Sequence, residues 1–597
     1  MQVTKHILLL VILFAPHANA SALDFPSIEK CAAPATLINQ IQGDSNVSPK
    51  VDNDVVVEAI VTLVAPGLQG FFLQEEVEDF DTNPNTSEGI FVFTANMPIT
   101  VKERELVRVG GTVTESFEKT QLNLKALSNS CGTANYQTSV LNLPLSREQS
   151  FEAFEGMAVT VEQTLTVVNT YNYTRFGEIE VANGRLFTPT HLFVPGSPAA
   201  LAIASENTRN KITLDDLFNG APQSVDINGE LSAKNPLRTG STISGIKGVV
   251  DYSFNTYRIR STAVPVVSSA PRPEVPKVKG DVKIASFNVL NLFNGDGKGG
   301  EFPTPRGADN IAEYNLQLSK IVNAILPLDA DVVALMELEN DGFGSHSAIA
   351  QLVEAMNKAA GKGVYDFIDA GGPLGTDSIA VGIIYQPAKV APLGAVEVLD
   401  ESKSLRDKDG PLFSTRRNRP AMAQKFVARN NKDTFVVNVN HLKSKGSRCG
   451  EGDDSADQGN CNGTRTRAAK ALHYWLAATF SNQPIFIVGD LNAYAKEDPI
   501  TELAKAGYTD LARELNGAKA YSYAFRGRFG SLDYALANQA AKKLVQSTVE
   551  WHINADEPIA LDYNDELPGD LKKPANFNDK SAFRSSDHDP VIVGFSF

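Results

Sequence analysis

Near its C-terminal end the chain reads Ser585-Ser586-Asp587-His588-Asp589-Pro590, followed by the apolar run Val591-Ile592-Val593-Gly594-Phe595. Ser, Asp and Pro favour a turn and the run behind them favours a strand, so the Asp-His pair is lifted to a strand edge. A carboxylate beside an imidazole offers a metal ligand and a proton carrier in one place. Alone, the stretch is an ordinary capped turn. Residues upstream change that.

Working back from it, apolar runs repeatedly end in polar residues. Phe435-Val436-Val437-Asn438-Val439-Asn440-His441 stops at a histidine, and Ile485-Phe486-Ile487-Val488-Gly489 leads into Asp490-Leu491-Asn492. Leu532-Asp533-Tyr534 precedes the last strand, Asp331-Val332-Val333-Ala334-Leu335-Met336-Glu337 ends at a carboxylate, and the strand from Val282 ends at Asn288. Between them, Leu318, Ile321, Val322 and Ile325 repeat with a helical period, as do Ala468, Ala471, Leu472, Trp475 and Leu476. Alternating strands and helices predict an α/β or α+β domain over residues 280–597.

A polar side chain at the end of an apolar strand is costly unless paired or used. Sheets gather such ends at one edge, so Asn288, Glu337, His441, Asp490, Asn492, Asp533, Asp587 and His588 are predicted to converge. Carboxylates and amide oxygens without thiolates suit a hard cation: Mg²⁺ or Mn²⁺, with Ca²⁺ as a further candidate. Imidazoles beside acids suit proton exchange with a phosphoryl oxygen. Arg416, Arg417 and Arg419 in Thr-Arg-Arg-Asn-Arg-Pro carry forked donors that match phosphate.

The remaining sequence sets the context. Residues 1–20 have a short basic head (Lys5, His6), an apolar run from Ile7 to Phe14 and the small-residue site Ala18-Asn19-Ala20. They predict an export signal, and hence a secreted or periplasmic protein. With 597 residues and 42% hydrophobic content, a multidomain globular chain is expected. The net charge of −15 argues against a general polyanion binder. Four cysteines in an exported chain point to disulfides, Cys31–Cys131 and Cys449–Cys461 being the favoured pairs. Short punctuated runs such as Gly70-Phe71-Phe72-Leu73-Gln74 and Gly89-Ile90-Phe91-Val92-Phe93 predict an OB-like β domain over residues 21–145. Its phenylalanines are expected to be core. A second β-rich domain is expected over 146–263, and a Pro-rich linker over 264–279. The Gly-rich stretch Asn294–Pro305 is expected to be a surface excursion.

The ordered set Ser286-Phe287-Asn288, Leu335-Met336-Glu337, Asn440-His441-Leu442-Lys443, Gly489-Asp490-Leu491-Asn492, Leu532-Asp533-Tyr534 and Ser586-Asp587-His588-Asp589-Pro590 resembles the endonuclease/exonuclease/phosphatase superfamily, which includes pancreatic-type deoxyribonuclease. The whole chain resembles the secreted bacterial extracellular nucleases that place OB-like domains ahead of the nuclease domain. The resemblance implies a deoxyribonuclease-like two-sheet sandwich over 280–597 and metal-dependent hydrolysis of DNA, with RNA as an alternative, leaving 5′-phosphate and 3′-hydroxyl ends.

By the same resemblance Glu337, Asn288 and Asp587 hold the cation, Asp490 activates water and Asn492 holds the phosphate. His441 and His588 exchange protons, Asp533 orients His588, and Asp377 is a weaker candidate to orient His441. Arg417 and Arg419 contact substrate. A monomer without membrane insertion is expected. The alternatives are a lipid or sugar phosphodiesterase or phosphatase of the same fold, and a nucleic-acid-binding surface protein.

Overall fold

The computed structural model describes residues 28–597 apart from 29, 96, 129 and 218–230, and the expected export signal lies outside these. The chain forms two compact units, 1–137 and 138–597.

Among its described residues the first unit holds a barrel of five strands, β1 (Asp54–Ala65), β2 (Gly70–Gln74), β3 (Gly89–Phe93), β4 (Glu105–Ser116) and β5 (Lys119–Leu127), with the two-residue strand Gly132–Thr133 added on β4. They follow the order β1-β2-β3-β5-β4, and β4 pairs back onto β1 to close the ring. Closure leaves these strands no open edge. Phe71, Phe72 and Phe91 are buried core, as the sequence suggests, whereas Phe93 is half-buried. Cys31 and Cys131 form the expected disulfide.

Glu75 follows β2 and is buried, with one oxygen accepting the Ile38 N–H at 2.6 Å. Its other oxygen has no hydrogen-bond partner among the described residues, and burial pushes its carboxyl up to about 8. The folded barrel therefore retains a proton that an unfolded glutamate releases near its ordinary value. This contribution to stability is complete below the unfolded pKa and is lost as pH rises through about 8. Glu75→Gln should gain stability relative to the parent chain as pH rises from 5 to 8. Urea unfolding midpoints of both proteins across that range check this, and a constant difference contradicts it.

In the second unit, a nine-stranded sheet built from strands between Ser139 and Ser268 comes first. It is accompanied by the two-residue strand β6 (Leu186–Phe187) and the helix α1 (Pro198–Arg209). The α/β part follows. One sheet has the core order β9 (Ile379–Tyr385), β8 (Val332–Glu339), β7 (Val282–Leu292), β17 (Val591–Phe595) and β16 (Val545–Glu550). The other contains β10 (Ala421–Ala428), β11 (Thr434–His441), β12 (Ile485–Asp490) and β15 (Asp533–Ala537) in that order.

Alternation decides the layering. Val282, Ile284, Val332, Ala334 and Met336 of the first sheet meet Phe435, Val437, Val439, Phe486, Val488 and Ala535 of the second in one core. The intervening residues Ala285, Phe287, Val333 and Leu335 face the helices α2 (Ile311–Ile325) and α3 (Ala348–Ala360). Val436, Ile485, Ile487, Tyr534 and Leu536 face α4 (Asn462–Thr479). Two sheets packed face to face, with helices outside, make the expected two-sheet sandwich.

The nine-stranded part and the sandwich share a core. Val168, Ala182, Leu186 and Phe187 pack with Tyr521, Phe529 and Ala555. Ion pairs reinforce the joint: Arg185 to Asp556 at 2.8 Å, and Arg238 and Arg272 to Glu557 at 2.5 and 2.8 Å. Arg272 belongs to the Pro-rich connector, which is thereby pinned. Among the described residues no helix is long and apolar enough to cross a membrane.

Candidate active site

The site is the end of the inter-sheet core. Along β11 the residues facing that core are Phe435, Val437 and Val439, and the next is His441; along β12, Phe486 and Val488 give way to Asp490. Along β15, Ala537 and Ala535 lead back to Asp533, and along β7, Val282 and Ile284 lead through Ser286 to Asn288. Strand register then sets a row: His441 pairs with Asp490 across the parallel β11–β12 ladder, and Asp490 with Asp533 across β12–β15. Adjacent partners on one face lie side by side, so three polar groups meet without any long side chain. Gly489 allows this approach, because a Cβ there would lie 2.0 Å from the Asn440 carbonyl oxygen.

Glu337 arrives differently. Met336 faces the inter-sheet core and alternation would send Glu337 to the helix side. Instead the register slips between Met336 and Leu338, Leu338 packs on the helix side, and Glu337 takes φ +65°. The extra residue of this β-bulge turns the carboxylate into the cluster. A left-handed backbone at a glutamate is a strained conformation, a feature that gathers at functional sites.

Within the cluster, Asn288 Nδ2 donates to Glu337 Oε1 at 3.0 Å and reaches Asp490 Oδ2 at 3.4 Å. Its amide oxygen accepts the Leu290 N–H at 3.0 Å, so the nitrogen faces the carboxylates. His441 Nε2 lies 3.5 Å from Asp490 Oδ2 and 3.9 Å from Glu337 Oε1. His588 Nε2 lies 3.9 Å from both Asp490 Oδ2 and Asp587 Oδ1, while its Nδ1 hydrogen-bonds Asp533 Oδ2 at 2.7 Å. Asn492, at φ +49°, donates its backbone N–H to Asp490 Oδ1 and its amide to the Leu442 carbonyl.

These groups perturb one another. Burial, and then the Asp587 charge, push Glu337 up; burial also pushes Asp490 up, against the pull of His588. Burial, then Arg419 and His588, hold His441 well below the usual imidazole range. Burial alone would lower His588 too, but Asp533, Asp587 and Asp490 hold it well above that range. Ligand atoms of Glu337, His441 and Asp490 lie within 4.8 Å of one another, as do those of Asp490, Asp533 and His588. Glu337 and Asp490, both driven toward protonation, fit a divalent cation, whose charge would relieve the repulsion.

The other candidates divide. Arg419 is buried beside the cluster, pairing with Asp377 at 3.0 Å and donating to the Leu442 carbonyl, whereas Arg416 and Arg417 are exposed. Asp377 is held by Arg306 and Arg419, and among the described residues His441 Nδ1 has no hydrogen-bond partner, so Asp377 does not orient that imidazole by a hydrogen bond. Cys449 and Cys461 form the second expected disulfide.

Several supports escape sequence reasoning. Ser522 Oγ donates to Asp533 Oδ2 at 2.8 Å, and the Tyr523 ring lies 4.5 Å from that of His588. The Asn554 and Ala555 N–H groups and the His552 ring hold Asp589, which fixes the loop behind His588. Only Asp589, inside the Ser-Asp-His-Asp-Pro turn, carried any sequence signal.

Two buried imidazoles and converging acids thus meet at one end of a two-sheet sandwich. The sequence model of the Endonuclease/Exonuclease/phosphatase family matches residues 285–588, just over half of the chain, and the chain belongs to that family. A domain of unknown function, DUF8508, matches residues 149–270. No curated protein sequence matches the chain.

Similar solved structures include the human Nocturnin catalytic domain with bound sulfate anion, at 15% identity and TM-score 0.33, covering 53% of this chain and 94% of that one. A zebrafish (D. rerio) TDP2 complexed with a single-strand DNA product is similar at 14% identity and TM-score 0.31, covering 52% and 97%. A Bacteroides thetaiotaomicron mannosyl-6-phosphatase is similar at 15% identity and TM-score 0.31, covering 53% and 100%.

Proposed function

We propose that the protein is an exported, divalent-metal-dependent nuclease that hydrolyses phosphodiester bonds of extracellular DNA, with RNA as an alternative substrate. The observation that carries this reading is the space around the polar cluster. One cavity of about 600 Å³ reaches it at Asn492, and a second of about 540 Å³ reaches it at Asp587. A phosphodiester has a group on each side of phosphorus and needs both spaces, whereas a phosphomonoester needs one. The two disulfides support an extracellular setting. The closed five-stranded barrel supports an OB-like reading of residues 21–145.

Glu337 and Asp490, with Asp587 beside them, would hold the cation: Mg²⁺ or Mn²⁺, with Ca²⁺ as a further candidate. Bound there, it supplies positive charge against the non-bridging and leaving oxygens. Asn288, donating to Glu337 and Asp490, keeps both carboxylates facing inward. Asp490 takes the proton of the attacking water. Asp533 keeps a proton on Nδ1 of His588, so that Nε2 points at the phosphoryl group. His441 Nε2 approaches from the opposite ladder, Asn492 steadies the phosphate from the strand end, and Arg419 supplies buried positive charge. His588, kept protonated by the acids around it, gives its Nε2 proton to the leaving 3′-oxygen, so products carry 5′-phosphate and 3′-hydroxyl ends.

Plasmid DNA should be degraded with Mg²⁺ and spared in EDTA. Parallel assays of phospholipid hydrolysis and of sugar-phosphate release should show no turnover. Degradation that persists in EDTA, or preferred turnover of a lipid or sugar phosphate, overturns the reading.

A further inference from the structure

The two cavities are separated by one hairpin. Its strands are β13 (Tyr523–Phe525) and β14 (Arg528–Gly530), with Phe525 paired to Arg528 across the turn. Arg526 and Gly527 both have positive φ, at +50° and +74°, as a two-residue type I′ turn requires. Such a turn leaves its flanking residues little freedom, so the position of Phe525 is fixed by the backbone.

Phe525 is 49% exposed, and its ring lines both cavities, as does Tyr523 beside His588. A single exposed aromatic residue is unremarkable. This one lines both of the cavities that reach the polar cluster, one at Asn492 and the other at Asp587. The Arg526 guanidinium carbon lies 5.3 Å from its ring centroid, and Arg584 lines the second cavity. Among the acids lining that cavity, Glu557 is already held by Arg238 and Arg272. The surroundings thus suit flat rings linked by phosphates.

The hairpin is held from outside the sandwich. The strand β6 pairs in parallel with β14, Leu186 to Arg528 and Phe187 to Phe529, and the Thr188 N–H donates to the Phe529 carbonyl at 2.9 Å. A Cβ on Gly527 would lie 3.0 Å from Glu180 Oε2, so the turn itself rests on the nine-stranded part. The same region supplies the outer walls: Thr188 and Leu201 of the first cavity, Tyr171 and Thr239 of the second. Leu201 and Tyr171 are 59% and 46% exposed.

We infer that Phe525 is a substrate-positioning residue, wedged between the two nucleosides joined by the scissile phosphodiester, and that the 149–270 region builds the outer walls of both nucleoside subsites. The inference rests on the nuclease reading above and extends it: the β-rich region is part of the substrate site. Stacking of a base on an aromatic ring is sequence-tolerant, because every base has a flat face. The subsites therefore grip a strand without selecting its sequence.

Steady-state cleavage of a fluorescent oligonucleotide and hydrolysis of methyl p-nitrophenyl phosphate, a small diester, test the inference on the full chain. Phe525→Ala should raise KM for the oligonucleotide about 5- to 150-fold, the worth of one stacked base. It should leave kcat for the small diester unchanged, since a lost stack weakens binding and not the chemistry. Phe525→Trp should restore binding, and Tyr171→Ala should raise KM for the oligonucleotide alone.

Unchanged oligonucleotide KM in Phe525→Ala overturns the wedge while leaving the nuclease reading intact. Unchanged KM in Tyr171→Ala overturns the assignment of the second cavity's wall. Equal losses on both substrates report a collapsed centre and overturn the stacking role. A parent chain that hydrolyses a phosphomonoester but neither diester overturns both readings together.

Discussion

His588→Ala should lower kcat/KM on DNA by about 10²- to 10⁴-fold, the range that a positioned proton donor or acceptor contributes. The substitution removes a ring whose Nδ1 is bound to Asp533 at 2.7 Å and whose Nε2 faces Asp490 at 3.9 Å. Asp533→Asn should cause a smaller loss through the same ring, because an amide can support the wrong tautomer. Single-turnover cleavage of a labelled oligonucleotide separates chemistry from binding. A loss confined to KM in either variant would contradict the assigned roles.

Glu557→Ala should destabilise the second unit by about 3–5 kcal/mol, as expected when one partner of a buried ion pair is removed. Its carboxylate is fully buried between Arg238 and Arg272, with Arg238 only 3% exposed, so Arg272 loses its counter-charge and Arg238 keeps only Asp556 at 4.0 Å. Glu557 lies just after Asn554 and Ala555, whose N–H groups hold Asp589 behind His588. Thermal unfolding should therefore shift down together with activity. A variant as stable as the parent would show that these pairs do not bind the two parts of the unit together.

The inter-sheet stripe was legible because alternation is a local property. Val437-Asn438-Val439-Asn440-His441 and Phe486-Ile487-Val488-Gly489-Asp490 print their inward faces in the sequence, and the polar residues that end them stand out. The row from His441 through Asp490 to Asp533 was not legible, since it depends on the register of three strands distant in sequence.

Glu337 shows the sharper failure. Its position at a strand end marked it for the cluster, but alternation from Met336 points it at the helices, and only a bulge and a left-handed backbone bring it inward. Asp377, a candidate partner for His441, is held by two arginines instead, and no local signal separates those outcomes. Ser522, Tyr523 and Asn554 were missed because they lie in short turns without periodic patterns. The shared core around Phe187, Tyr521 and Phe529 was invisible for the same reason: it draws a few residues from each of several short segments.

The central claim is that Glu337 and Asp490 hold one divalent cation beside His441 and His588. Crystals of the protein soaked in Mn²⁺, measured for anomalous scattering, test it most directly. A single strong peak should lie within bonding distance of the Glu337 and Asp490 carboxylates and vanish in Glu337→Gln, together with DNA cleavage. A peak elsewhere with none in this cluster, or full cleavage by Glu337→Gln, would contradict it.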